Sequence, residues 1–140
     1  MIELYAEPLL GWRLWHIREG RLVSWSQDGA WPAGRRFEAR CNRLLRRSCA
    51  DAPGEGHACG IYAARTRAGA LRLLDELPPL PVPVAVGQVS LWGRVFENVG
   101  GWRAQYAYPY ALEVLSGGEN VARALRTHYR VDAAAHPSAA

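Results

Sequence analysis

Two cysteines and a histidine lie close together in one turn-rich stretch, a third cysteine precedes it, and these residue types could bind a metal ion. The segment SCADAPGEGHACGIYAA, residues 48–64, contains Cys49, His57 and Cys59, and Cys41 lies just upstream. Together they supply the three thiolates and one imidazole of a closed zinc site. An unbroken helix from Cys41 to Cys49 would separate the two by about 12 Å, which is too far for one ion. We therefore predict a structural zinc ion on condition that the chain turns between them.

A cysteine nucleophile is the enzymatic alternative for the same segment. Cys59, with His57 or His16 as its base, would also need an oxyanion hole and an orienting group, and no sequence pattern marks them. The deaminase pattern H-x-E with P-C-x-x-C is absent, as are a Walker A loop, G-x-G-x-x-G and H-E-x-x-H. We therefore lean towards a protein that is not an enzyme.

A second candidate site is an aromatic and arginine face on a predicted hairpin. Residues 84–97 and 101–109 read as two strands joined by a glycine-rich turn. The expected cross-strand pairs are Phe96 with Trp102, Arg94 with Ala104, and Trp92 with Tyr106. This register places on one face the four residues that we predict to bind a ligand: Trp92, Arg94, Trp102 and Tyr106. Such a face is either a second packing layer or a platform on which a nucleic-acid base or another flat ligand stacks.

The elements that must position these residues begin with another hairpin. The run RLWHIREGRLVSW, residues 13–25, contains two strand-like segments around a three-residue loop that ends at Gly20. The expected pairs are Ile17 with Arg21, Trp15 with Val23, and Arg13 with Trp25. Apolar side chains fall on both faces, which predicts that the hairpin is buried on both sides.

Helical spacing marks three further segments. Residues 37–47 predict a helix with a stripe of arginines on its outer face, which is either solvated or in contact with phosphate. Residues 66–77 predict a second helix that ends at Pro78. A strand and then a helix with a Ser116 and Glu119 capping box are expected before residue 130.

Length and composition indicate one domain. A chain of 140 residues with 49% hydrophobic content can bury a core without disulfides. We predict a single α+β domain over residues 1–131, built on a small, mostly antiparallel β-barrel or curled sheet with two to three helices, and a disordered tail over 132–140. The sequence shows neither a membrane span nor a signal peptide, so we expect a cytoplasmic protein with reduced thiols and no membrane partner.

The basic residues are all of one type. The chain has 17 Lys+Arg residues, every one an arginine, and a formal net charge of +4. Arginine forks onto phosphates and stacks on aromatic rings, which suits nucleic-acid binding. A GC-rich genome would produce the same bias.

Three segments carry a resemblance to other proteins. APGEGHACGIYA, VSLWGRVFE and GWRAQYAYP resemble a group of uncharacterised bacterial proteins, chiefly from actinobacteria, with a C-x-C-G-I-Y-A-like element and a later L-W-G-x-V hairpin. The resemblance covers about two thirds of the chain and implies no known activity. His57 stands where the group's pattern has its first cysteine, which exchanges one zinc ligand type for another.

Three functions fit these observations. The first is a non-enzymatic binding module that presents the aromatic and arginine surface to a nucleic-acid base or small ligand, with a structural zinc ion as a cofactor. The second is a protein-interaction or structural component of a larger assembly, using the same aromatics and the proline-rich segment LPPLPVPV against a partner chain. The third is a cysteine- or zinc-dependent enzyme.

Overall fold

Long strands with alternating burial dominate this fold. The computed structural model describes residues 2–3, 8–25, 29–40, 53–54 and 59–136. In chain order its elements are β1 (Ile2–Glu3), β2 (Leu9–Arg18), β3 (Arg21–Val23), β4 (Phe37–Glu38), β5 (Ile61–Ala64), α1 (Arg67–Glu76), β6 (Val84–Glu97), β7 (Gly101–Val114), α2 (Gly118–Tyr129) and β8 (Asp132–Ala135).

The strands form one sheet that curls on itself. β6 pairs with β2 on one side and with β7 on the other, and β5 pairs with both β2 and β7. These four strands therefore form a closed circuit of pairings, with β1, β3, β4 and β8 added at the margins. All described pairings are antiparallel except that of β7 with β8. The predicted α+β class with a mostly antiparallel sheet is confirmed, and the described residues contain two helices.

The buried apolar side chains of the described residues form two clusters. One cluster, which includes Trp15, Leu22, Trp31 and Tyr129, lies between the sheet and α2. A smaller cluster around Leu14, Ala70 and Val86 lies under α1. Burial of these side chains removes apolar surface from water, which is the main driving force for the fold. No helix in the described part of the chain is long and apolar enough to cross a membrane.

The first hairpin forms, but its predicted register is wrong by one residue. Ile17 pairs with Leu22 and Arg18 with Arg21, so the loop has two residues and not three. Glu19 and Gly20 both adopt positive φ, 52° and 75°. This is the geometry of the tight turn whose twist matches two antiparallel strands. A shift of one residue moves every side chain of a strand to the other face, so only the pairing itself decides which face is buried.

The predicted helix over 66–77 is confirmed as α1. Thr66 caps it, because its hydroxyl accepts a hydrogen bond from the Gly69 backbone N–H at 3.0 Å. The predicted helix over 37–47 is wrong at its start, since Phe37–Glu38 form β4 against β7. The Phe37 ring stacks on Trp31 at 4.5 Å, and this tertiary contact outweighs the local helical period. Residues 41–47 lie outside the described part of the chain.

The end of the chain differs from the prediction in two ways. α2 forms, but Gly117 is its N-cap, and the Ser116 hydroxyl accepts from the Val84 backbone N–H instead. Residues 132–135, which we predicted to belong to a disordered tail, form β8 parallel to β7. Arg130 adopts the left-handed conformation with φ of 57°, which turns the chain back onto the sheet. The buried side chain of Ala133 then joins the larger core cluster.

Candidate ligand-binding surface

A β-bulge interrupts the β6–β7 hairpin in the middle of the predicted aromatic face. Trp92 pairs with Tyr106 as predicted, but the next pair is Val95 with Ala104. Gly93 and Arg94 therefore both lie opposite Gln105, which is the two-against-one arrangement of a bulge. The predicted pairs of Arg94 with Ala104 and of Phe96 with Trp102 are wrong, because the extra residue shifts the register beyond the bulge. Phe96 pairs with Arg103 and Glu97 with Trp102.

Glycine is required at the first position of the bulge for two reasons. Gly93 has a φ of +81°, which side chains with a Cβ rarely adopt. A Cβ built there would also lie 2.6 Å from Gln105 Oε1 and 2.8 Å from Cδ2 of Tyr106. Gln105 Oε1 in turn accepts a hydrogen bond from the Arg94 backbone N–H at 3.1 Å. This bond satisfies a backbone donor that the bulge deprives of its cross-strand partner. The bulge is thus a fixed feature that brings the Tyr106 ring against the backbone at Gly93.

Four residues lie in the bulge or next to it, and we call them the bulge surface: Arg36, Trp92, Arg94 and Tyr106. The Trp92 and Tyr106 rings have centroids 6.1 Å apart and are tilted by 41°. The Arg36 guanidinium carbon lies 3.8 Å from the centre of the Tyr106 ring, in a cation–π contact. The exposed Arg36 precedes β4, while the other three side chains are half-buried.

Arg94 is the least satisfied member of the bulge surface. Its Nε is shielded from solvent and has no hydrogen-bond partner within the described residues. Neither Arg94 nor Arg36 forms an ion pair with any described carboxylate, whereas the described ion pairs involve other residues. A guanidinium donor that is removed from water without a partner costs free energy. This combination of unpaired charge and partly open rings therefore favours a ligand.

The structure places Trp102 away from the other three predicted ligand-binding residues. It lies four residues from Tyr106 along β7, about 13 Å at the usual strand rise. Arg65 lies over its ring, with the guanidinium carbon 4.8 Å from the centroid. Arg65 is itself held by the Glu97 carboxylate at 2.7 Å and by the Asn98 carbonyl at 2.7 Å. One face of Trp102 is therefore already covered by Arg65, which is bonded to the hairpin turn.

The predicted zinc ligands fall mostly outside the described residues. Cys41, Cys49 and His57 belong to that undescribed part, and Cys59 is half-buried beside β5. The Cys59 sulfur accepts from the Gly54 backbone N–H at 3.2 Å. Within the described ranges, no three His, Cys, Asp or Glu side chains group to hold a metal ion. The zinc site stays a prediction.

His16, considered as a base for Cys59, is buried in the core. Only 6% of its surface is exposed, and its ring packs edge-on against Trp25 at 5.1 Å. Burial, and secondarily the positive charge of Arg18, lowers the pKa of His16 from its ordinary value. This environment is typical of a core histidine.

The sequence did not connect Arg36 with the hairpin residues, because it placed Arg36 in the arginine stripe of the predicted helix, which was either solvated or in contact with phosphate. The available signal for the bulge was Gly93 within an otherwise continuous strand pattern, since such a glycine often marks a bulge.

Comparison with family models, with curated proteins and with solved structures finds no match to this chain. The resemblance to the bacterial group stays an expectation.

Proposed function

We propose that this protein is a non-enzymatic binding module whose bulge surface binds a nucleic-acid base or another flat ligand. The observation that carries the proposal is the shielded, unpartnered Nε of Arg94, in the bulge that directly follows the contacting pair Trp92 and Tyr106. A ligand that stacks on a ring and offers an acceptor to Arg94 would complete the interactions that the protein leaves open.

Trp92 is the ring to which we assign stacking. Arg36 covers one face of Tyr106, and Arg65 covers one face of Trp102. Among the described residues, the only ring or cation that contacts Trp92 is the tilted Tyr106. Stacking of one base on an aromatic side chain contributes about 1–3 kcal/mol. The predicted set is therefore refined to Trp92, Arg94 and Tyr106, with Arg36 added.

Fluorescence anisotropy with a short labelled oligodeoxythymidine tests this assignment. We expect Trp92→Ala to weaken binding by about 5- to 150-fold, which corresponds to one lost stacking contact. Tyr110→Ala is the matched control, because Tyr110 is an aromatic residue of the same hairpin, 54% exposed and outside the bulge surface. Equal affinities of the two variants, or no binding by the wild-type protein, would contradict the proposal.

A structural zinc ion bound by Cys41, Cys49, His57 and Cys59 is part of the same proposal. Support comes from the donor types and from the backbone N–H that Gly54 directs at the Cys59 sulfur. Hydrogen bonds of this kind orient the side chains that hold a metal ion. We expect about one equivalent of zinc by elemental analysis of protein purified without chelator, and less in Cys59→Ser. Metal-free protein with the same thermal stability would contradict this part.

A further inference from the structure

We infer that the ligand of the bulge surface is single-stranded nucleic acid, and that Arg36 and Arg94 bind its phosphates. This inference rests on the proposed function and adds a ligand class and a role for each charged residue. Trp92 supplies the stacking face, while Arg36, which lies over the adjoining Tyr106 ring, and Arg94, which follows Trp92 in the bulge, supply the charge.

The charge around the bulge surface is positive and largely uncompensated. Arg36 and Arg94 form no ion pair with described residues, and two further exposed arginines flank β4 in sequence, Arg35 before it and Arg40 after it. Arginine forks onto phosphate oxygens with parallel hydrogen bonds. A neutral flat ligand would leave these charges unused, whereas a phosphodiester backbone would neutralise them.

A carboxylate of the described residues also borders the bulge surface. Glu38 is the cross-strand partner of Tyr106 in β4, and directly paired residues share a face of the sheet. It is exposed and forms no ion pair with a described cation. If phosphate binds at Arg36, the Glu38 charge repels it. Removal of this charge should therefore strengthen binding, an effect that a purely structural role of the surface does not produce.

The rings select single strands over duplexes. In a duplex the faces of the bases stack on one another, and only the edges and the phosphates are accessible. A ring such as Trp92 can stack only on a base that is already unpaired or splayed out. The combination of an available ring with two unpaired arginines therefore fits a single strand, while arginines alone would fit both forms.

Salt dependence of oligodeoxythymidine binding tests the role of the arginines. Two phosphate contacts give a slope of about −1.4 in log affinity against log salt, which is about a sevenfold loss between roughly 50 and 200 mM. We expect Arg36→Gln and Arg94→Gln each to reduce the slope by about 0.7. Glu38→Gln should tighten binding at low salt. Arg72→Gln removes the same charge from α1, which packs at the other end of β6, and should leave the slope unchanged.

A peptide nucleic acid of the same base sequence, which has no phosphates, separates the inference from the proposed function. We expect it to bind more weakly than oligodeoxythymidine and without salt dependence. Equal binding of both probes, lost in Trp92→Ala, would overturn phosphate recognition and leave the proposed function standing. Equal binding of a duplex, unaffected by Trp92→Ala, would overturn single-strand selectivity. Absence of binding to every probe would overturn both. Thermal melts of each variant confirm that the fold is retained.

Discussion

Two regions of this molecule use the same residue types and differ in how far their polar groups are satisfied. In the core, the Tyr129 hydroxyl accepts from the Leu22 backbone N–H and donates to the Trp31 carbonyl, both at 2.8 Å. The Trp31 indole N–H donates to the Ser24 hydroxyl, which also accepts from Arg13. At the bulge surface, the Arg94 Nε is shielded from solvent and has no described partner, and the Trp92 and Tyr106 rings of the same surface remain half-exposed.

The difference between the two regions shows which unpaired polar groups indicate a ligand. An unpaired atom alone is insufficient, because the indole N–H of the fully buried Trp15 also has no described partner. The bulge surface adds two features that Trp15 lacks: access to solvent and positive charge without a described counter-ion. We therefore expect substitutions in the core network to change stability, and substitutions at the bulge surface to change binding.

We expect the largest difference in stability between Trp31→Ala in the core and Trp92→Ala at the bulge surface. Trp31 is fully buried, stacked on Phe37 and edge-on to Trp15. We expect its removal to lower the free energy of unfolding by about 3–5 kcal/mol, as for other large core side chains. Trp92→Ala should cost no more than about 1 kcal/mol. Urea denaturation measures both, and similar losses would show that Trp92 is a core residue.

Tyr129→Phe isolates the hydrogen bonds of the core network from its packing. The substitution keeps the ring and leaves the Leu22 N–H and the Trp31 carbonyl without their partner. We expect a loss of about 1–3 kcal/mol in the free energy of unfolding. Tyr110→Phe removes a hydroxyl from a residue that is 54% exposed and should change stability little. If the two variants were equally stable, the network would contribute nothing beyond packing.

Gly93→Ala tests whether the bulge holds the surface together. The positive φ alone should cost about 1–2 kcal/mol, and the Cβ would also press on Tyr106 and Gln105. Gly34→Ala is the control, because Gly34 has a φ of +74° with nothing within 4 Å of its Cβ position. Both variants should lose stability, and only Gly93→Ala should also weaken oligodeoxythymidine binding. Unchanged binding in Gly93→Ala would separate the bulge from the site.

The smallest expected effect is the change of stability with pH that His16 causes. Its Nδ1 is buried in the core and has no described partner. Burial lowers its pKa below 6.5, so the unfolded chain takes up a proton more readily than the folded protein. The stability contributed by neutral His16 is complete above pH 6.5 and is lost as the pH falls below that value. We expect His16→Phe, which keeps a ring against Trp25, to lose less stability between pH 7.5 and pH 5.5 than the wild-type protein. Identical pH dependence in denaturant melts would show that His16 does not titrate on unfolding.

The sequence by itself determined the elements whose signals are local. The spacing of leucines and the proline at 78 predicted α1, because a helix shows its buried face within a few turns. Alternation and the glycine-rich turn predicted the β6–β7 hairpin, and the pairing of Trp92 with Tyr106 is as expected. The aromatic and arginine residues of the candidate surface were also recognisable, since their chemistry is independent of the fold.

The tertiary structure alone decided the strand register and which side chains contact one another. A bulge at Gly93 or a two-residue turn at Glu19 shifts the pairing by one residue, and local periodicity is nearly the same on either side of the shift. The pairing of β4 and β8 with β7 depends on residues far apart in sequence, so no local pattern reports it. The contact of Arg36 with Tyr106 exists for the same reason. The sequence determines the chemistry of each side chain. Strand pairing between residues far apart in sequence determines which side chains contact one another.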